Sequence, residues 1–156
     1  MLRKKNQQLK THTDIDYGLP ELNLGAVKPQ RKQNVSEKLA ELAKMDNLQF
    51  EHYMARLFAL QGYEVRYTPV DNDCGADLII TRGNETVAVR CLLGEAILEK
   101  DIIEATLGAM RHYSVHKVMI VTNRMFSGEA LRFARKKPIV LVDRAALIED
   151  YLKMRV

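Results

Sequence analysis

Between Asp73 and Gly94 the chain reads DCGADLIITRGNETVAVRCLLG. Two short apolar runs, LII (78–80) and VAV (87–89), flank the polar turn around Gly83-Asn84. Apolar runs of this length separated by a glycine-bearing dipeptide predict a β-hairpin. The aspartate Asp77 stands at the mouth of its first strand, and Arg90, Cys91 and Leu92 close its second. Everything else in the chain takes its place around this hairpin.

Upstream, YEVRYTPV (63–70) alternates Tyr63, Val65 and Tyr67 with polar residues and predicts a half-buried strand that ends at Pro69. Before it, DNLQFEHYMARLFALQG (46–62) carries Phe50, Tyr53, Met54, Leu57, Phe58 and Leu60 as a broad apolar stripe. This is a helix that starts at Asp46 or Asn47 and stops at Gly62, with Glu51 beside the stripe. A leading helix over 35–46, with Ser36 as its N-cap, precedes it. Downstream, residues near 98–114 read as one helix. KVMIVTN (117–123) is a buried strand of the parallel type, Ser127 caps a helix GEALRFARKK, IVLVD (139–143) is another strand, and RAALIEDYLKM a last helix. Antiparallel strands first and strand–helix alternation later predict a three-layer α/β/α domain with a five-stranded mixed sheet over residues 35–156.

Residues 1–34 have no sustained period, and Gly18, Pro20, Gly25 and Pro29 interrupt them. The net charge of the 156-residue chain is +4. Residues 1–32 hold seven Lys/Arg (Arg3, Lys4, Lys5, Lys10, Lys28, Arg31, Lys32) and three acids. That leaves 17 of each sign from 33 onward, so the whole surplus sits in this arm. Such an arm suits a polyanion, with DNA as the expected partner, or stays a solvated terminus. Its alternating Ile15, Tyr17, Leu19, Leu22 and Leu24 also suit a protein partner. The basic run Arg132, Arg135, Lys136, Lys137 either touches phosphate or is a helix end favoured by the dipole.

No apolar run reaches the length of a membrane span, and MLRKKNQQLK lacks the apolar centre of a secretory signal, so no membrane partner and a cytoplasmic residence are expected. Two cysteines, Cys74 and Cys91, form no disulfide framework or zinc pattern, and Cys91 reads as a small buried hydrophobe. His112 and His116 stand four apart, but the second falls past the expected helix end. Asn84-Glu85-Thr86 fits a glycosylation pattern that a cytoplasmic protein would not use.

Glu51, Asp73 and Asp77 are acids placed where a strand pair could converge on a divalent cation. Here the sequence resembles the Mrr-type restriction endonuclease domain, of the restriction-endonuclease-like superfamily with the PD-(D/E)xK motif. The resemblance covers about residues 47–152. It rests on Phe50-Glu51 on the helix, Gly62-Tyr63 before the first strand, D-x-G-x-D at 73–77, and T-N-x-x-F-S-x-x-A at 122–130. It implies catalytic positions at 51, 77, 90 and 92, Mg²⁺ or Mn²⁺ as cofactor (at Asp77 if anywhere), DNA as substrate and pairing into a homodimer.

Glu51 and Asp77 match the pattern. Arg90 and Leu92 stand where the family has a Gln or acid and a lysine. Arg90 is a permanent cation that could pair with Asp77 and repel a metal; Leu92 cannot polarise water. A lysine migrated to Lys100, with Glu95 or Glu99 as replacement acid, would rescue the site. Three functional readings follow: a catalytically impaired relative that binds DNA or serves as an assembly subunit, with no cofactor; an active metal-dependent endonuclease with a rearranged site; and a protein-binding scaffold without DNA contact.

Overall fold

A computed structural model describes residues 34–71 and 74–153. The arm with Arg3, Lys4, Lys5, Lys10 and the Ile15–Leu24 alternation, and also Asp73, lie outside the described residues.

The elements run α1 (Val35–Leu42), α2 (Asn47–Leu60), β1 (Glu64–Tyr67), β2 (Leu78–Arg82), β3 (Glu85–Leu92), α3 (Lys100–Leu107), α4 (Ala109–Tyr113), β4 (Lys117–Thr122), α5 (Gly128–Ala134), β5 (Ile139–Val142) and α6 (Arg144–Leu147), which continues as a π-helical turn Ile148–Leu152. The strands form one sheet in the order β1-β2-β3-β4-β5. The first three are antiparallel neighbours; β3, β4 and β5 are parallel. This is the five-stranded mixed α/β sheet expected.

Its two faces are covered by different helices. On one face Phe50, Met54, Leu57 and Phe58 of α2 pack with Leu147, Tyr151 and Leu152 onto Leu78, Ile80, Val87, Val89 and Cys91. On the other, Ala76, Ile79, Ala88 and Val118 meet Ala109 of α4, and Ile103 of α3 and Ala130 of α5 meet Ile120 and Phe126. The hairpin turn is tight: Arg82 pairs with Glu85, leaving Gly83-Asn84 as a two-residue loop. Gly83 takes φ +60°, the first-position glycine of a type II′ turn.

Three local expectations change. Asn34, not Ser36, caps α1, because its side chain accepts from the Glu37 N–H at 2.9 Å. The single helix over 98–114 becomes α3 and α4, which meet at Gly108, whose N–H turns to Ala105 O at 3.2 Å. The strand expected from Tyr63 up to Pro69 shortens to β1, Glu64–Tyr67.

The ends of β3 and β4 are tied together by the T-N motif. Asn123 Oδ1 accepts from Gly94 N–H at 3.1 Å, and Thr122 Oγ1 accepts from Arg124 N–H at 3.0 Å. Asn47 Oδ1 accepts from Leu93 N–H at 3.1 Å, which joins the start of α2 to the same end of the sheet. No helix among the described residues is long and apolar enough to cross a membrane.

Candidate functional site

The site is built on a break in strand alternation. Strict alternation separates residues of one face by an even number. Yet Ala76 and Ile79, three apart, share the cluster under α4. Asp77 is the extra residue. Its N–H donates to Val89 O at 2.8 Å, although Val89 is registered with Leu78. Asp77, just before β2, and Leu78 thus both face Val89 of β3, which is a β-bulge. The bulge is held from the other side as well. Asp77 O accepts from Thr68 N–H at 3.0 Å, and the Thr68 hydroxyl donates to Ala76 O at 2.7 Å.

This backbone aims the Asp77 carboxylate at the end of β3, where Oδ2 accepts the Cys91 N–H at 2.7 Å. Glu51 comes from α2, whose start is fixed by a capping box: Asp46 Oδ1 accepts from Gln49 N–H and Gln49 Oε1 from Asp46 N–H. Phe50 and Met54 are fully buried on that helix, so Glu51 is held half-buried beside the sheet. The buried Cys91 thiol is pushed well up, first by burial and then by the charges of Asp77 and Glu51. The charges of both acids are thus felt at one thiol. Cys91 itself is an inert thiol rather than a nucleophile.

His52, next to Glu51, was passed over in the sequence. Its ring lies 5.0 Å from that of Tyr67, and its Nε2 is buried with no hydrogen-bond partner among the described residues. Burial lowers its pKa, with Asp46 opposing. Its position one residue after the helix acid was the only available signal.

Arg90 and Leu92 leave β3 on the face opposite Cys91. Leu92 packs into the apolar cluster of Leu98, Ile103, Ile120 and Phe126. Arg90 is half-buried and reaches toward Gly75: a Cβ at 75 would lie 3.7 Å from Nη1. The Asp77–Arg90 pairing that the sequence left open is not among the ion pairs of the described residues. The physical reason is the bulge, which sends the carboxylate to the Cys91 amide while the guanidinium departs on the α3 side.

Lys100 opens α3, pairs with Glu104 at 3.4 Å and lies over the Phe133 ring at 4.9 Å. It lines a cleft of about 500 Å³ with Ile97, Glu99, Arg124 and Glu129, a space that does not include Glu51, Asp77 or Arg90. Glu95 and Glu99 are exposed. The cluster Arg132, Arg135, Lys136, Lys137 lies at the far end of the sheet. Because β4 and β5 are parallel, α5 carries the chain back to where those strands begin, whereas Asp77, Cys91 and Leu92 stand where β3 ends. The length of β4 alone separates the two ends by roughly 20 Å.

A divalent cation of the kind the resemblance implies needs several converging oxygens. Among the described residues no group of three His, Cys, Asp or Glu could hold a metal ion. Asp77 already accepts a backbone N–H, Arg90 brings a like charge and Leu92 brings none. The described donor set does not fit the cation.

The family model Mrr_cat, described as a restriction endonuclease, matches residues 42–150. No curated protein matches the chain. Among solved structures, a protein of unknown function, AF1548, is 25% identical with a TM-score of 0.52, over 62% of this chain and 58% of its own. The DNA modification-dependent restriction endonuclease AspBHI is 14% identical with a TM-score of 0.59, over 73% of this chain and 34% of its own. The MspJI restriction endonuclease, solved in complex with a 27-mer oligonucleotide, is 18% identical with a TM-score of 0.50, over 72% and 29%. The last two likenesses bear on the fold alone, and the chain spans less than two thirds of the length of each of the three.

Proposed function

The chain belongs to the Mrr-type restriction endonuclease family, and from that premise we propose that it is a catalytically impaired member that holds DNA without cutting it, alone or as a subunit of an assembly. The observation that carries this reading is at residue 92. The position where the family pattern has a lysine is an isobutyl group packed against the apolar cluster that holds Leu98, Ile103 and Phe126. No amine stands there to orient water or to meet charge on the phosphorus as it is attacked. Residue 90 compounds the loss, since a guanidinium supplies no oxygen to a metal.

What remains suits binding. The surplus positive charge of residues 1–32 would neutralise backbone phosphates, largely without regard to base sequence. The cluster at 132–137, at the other end of the sheet, would meet a different stretch of the same backbone. DNA as the ligand is supported by the family, and MspJI, which shares this fold over 29% of its length, was solved with an oligonucleotide.

The test is incubation of the full chain with supercoiled plasmid and Mg²⁺ or Mn²⁺, beside a duplex-binding titration. We expect no nicking above buffer, and binding that weakens steeply with salt and on replacing Arg3, Lys4, Lys5 and Lys10 by Gln. Nicking that tracks Mn²⁺ and vanishes in Asp77→Ala would overturn the proposal.

A further inference from the structure

Arg90 is a half-buried cation that takes part in no ion pair among the described residues. Its neighbours on the same face of β3, Ala88 and Leu92, belong to apolar clusters. A charge so placed is costly unless an opposite charge meets it. Nη1 lies beside the turn at Gly75, where a Cβ would stand 3.7 Å from it, and the side chain stays partly open to solvent. The carboxylate at 77 is directed to the Cys91 amide, two residues along the chain from this glycine.

We propose that Arg90 is a phosphate-binding residue that takes the place of the metal ion: its guanidinium receives a backbone phosphodiester of DNA at the end of β3. This rests on the DNA-binding reading above and adds the ligand group and the residue that holds it. The charges agree. An acid at position 90 with a divalent cation would present −1 and +2 to a phosphate, a sum of +1, which one guanidinium carries by itself. The fork of N–H donors suits two phosphate oxygens at once. A guanidinium brings no activated water, so the same substitution that ends hydrolysis makes binding independent of metal.

The experiment is fluorescence anisotropy of a labelled duplex with the full chain, in EDTA and in Mg²⁺, for the native protein, Arg90→Gln and Arg90→Lys. The native chain binds equally in both buffers. Arg90→Gln weakens binding roughly tenfold, as for a lost charged hydrogen bond, and flattens the log–log salt slope by about 1. Arg90→Lys keeps that slope, because the charge remains, and recovers part of the affinity; it also serves as the readout should Arg90→Gln fail to fold. A native chain that binds duplex only with Mg²⁺ overturns the inference. So does an Arg90→Gln with unchanged affinity and slope, or an Arg90→Lys whose slope falls. In each of these cases DNA binding itself survives; a native chain that binds no duplex at low salt defeats the functional reading instead.

Discussion

Gly75 has φ +84°, and a Cβ there would meet Ala105 O at 2.9 Å. Backbone conformation and a backbone carbonyl of α3 both exclude a side chain. The D-x-G-x-D motif therefore contains its glycine for a packing reason: the turn must slide under α3 before Asp77 can reach the end of β3. Gly75→Ala should lower the stability of the fold by about 1–3 kcal/mol, read as a lower denaturant midpoint; a midpoint equal to the native one would show that α3 gives way. Glu51 and Asp77 were legible as residues, since an acid beside an apolar stripe and an acid before a strand are visible in the text. The company kept by Arg90 was not. Pairing it with Asp77 assumes regular alternation, and the bulge that breaks alternation is made by backbone bonds from Asp77 to Val89 and Thr68 that no side chain announces.

Among the elements, α2 has the most to hold, because it positions Glu51 and covers the larger apolar face. Its start combines two devices. The capping box closes on Asp46 and Gln49, and Asn47 reaches across to Leu93 at the end of β3. Asp46→Ala removes the acceptor of the Gln49 N–H and should cost about 1 kcal/mol, the usual worth of an N-cap. The check is chemical denaturation of the variant; an unchanged midpoint would mean that the bond from Asn47 alone fixes the helix start. This cap was readable, since Asp46 precedes the apolar period directly. The cap of α1 was not, because Asn34 and Ser36 are equally good acceptors and only the docking of Leu39 and Leu42 chooses between them. The same holds for α3 and α4: an apolar period runs through both, and the break at Gly108 comes from its close approach to Ala105 O, where a Cβ would sit at 3.1 Å.

At the scale of the whole molecule, the order of hairpin, strand–helix, strand–helix was enough to give the sheet, because sequential strands tend to be neighbours and crossovers follow one hand. What the order could not give is which end of the sheet each charge occupies. The strands bring Asp77 and positions 90 and 92 to one end, where α2 also starts through the Asn47–Leu93 bond, and leave Arg132–Lys137 at the other. If the fold is intact and only side chains were lost, chemistry should return when they are replaced. The Asp77 carboxylate already rests on the peptide that joins residues 90 and 91. A glutamate at 90, shorter than the arginine that reaches Gly75, would end near it. A lysine at 92 can lay its methylene stem along the apolar cluster that Leu92 packs against and lift its amine to solvent. The double variant Arg90→Glu with Leu92→Lys should therefore bind Mn²⁺ saturably in a calorimetric titration where the native chain gives no binding heat. It should nick plasmid slowly, while losing on the order of 1–3 kcal/mol of stability to the charge placed beside an apolar cluster. A folded double variant that takes up no Mn²⁺ would show that the end of the sheet, and not two side chains alone, has drifted from metal-binding geometry. Saturable Mn²⁺ binding by the native chain would instead return Glu51 and Asp77 to service and end the proposal that this site is silent.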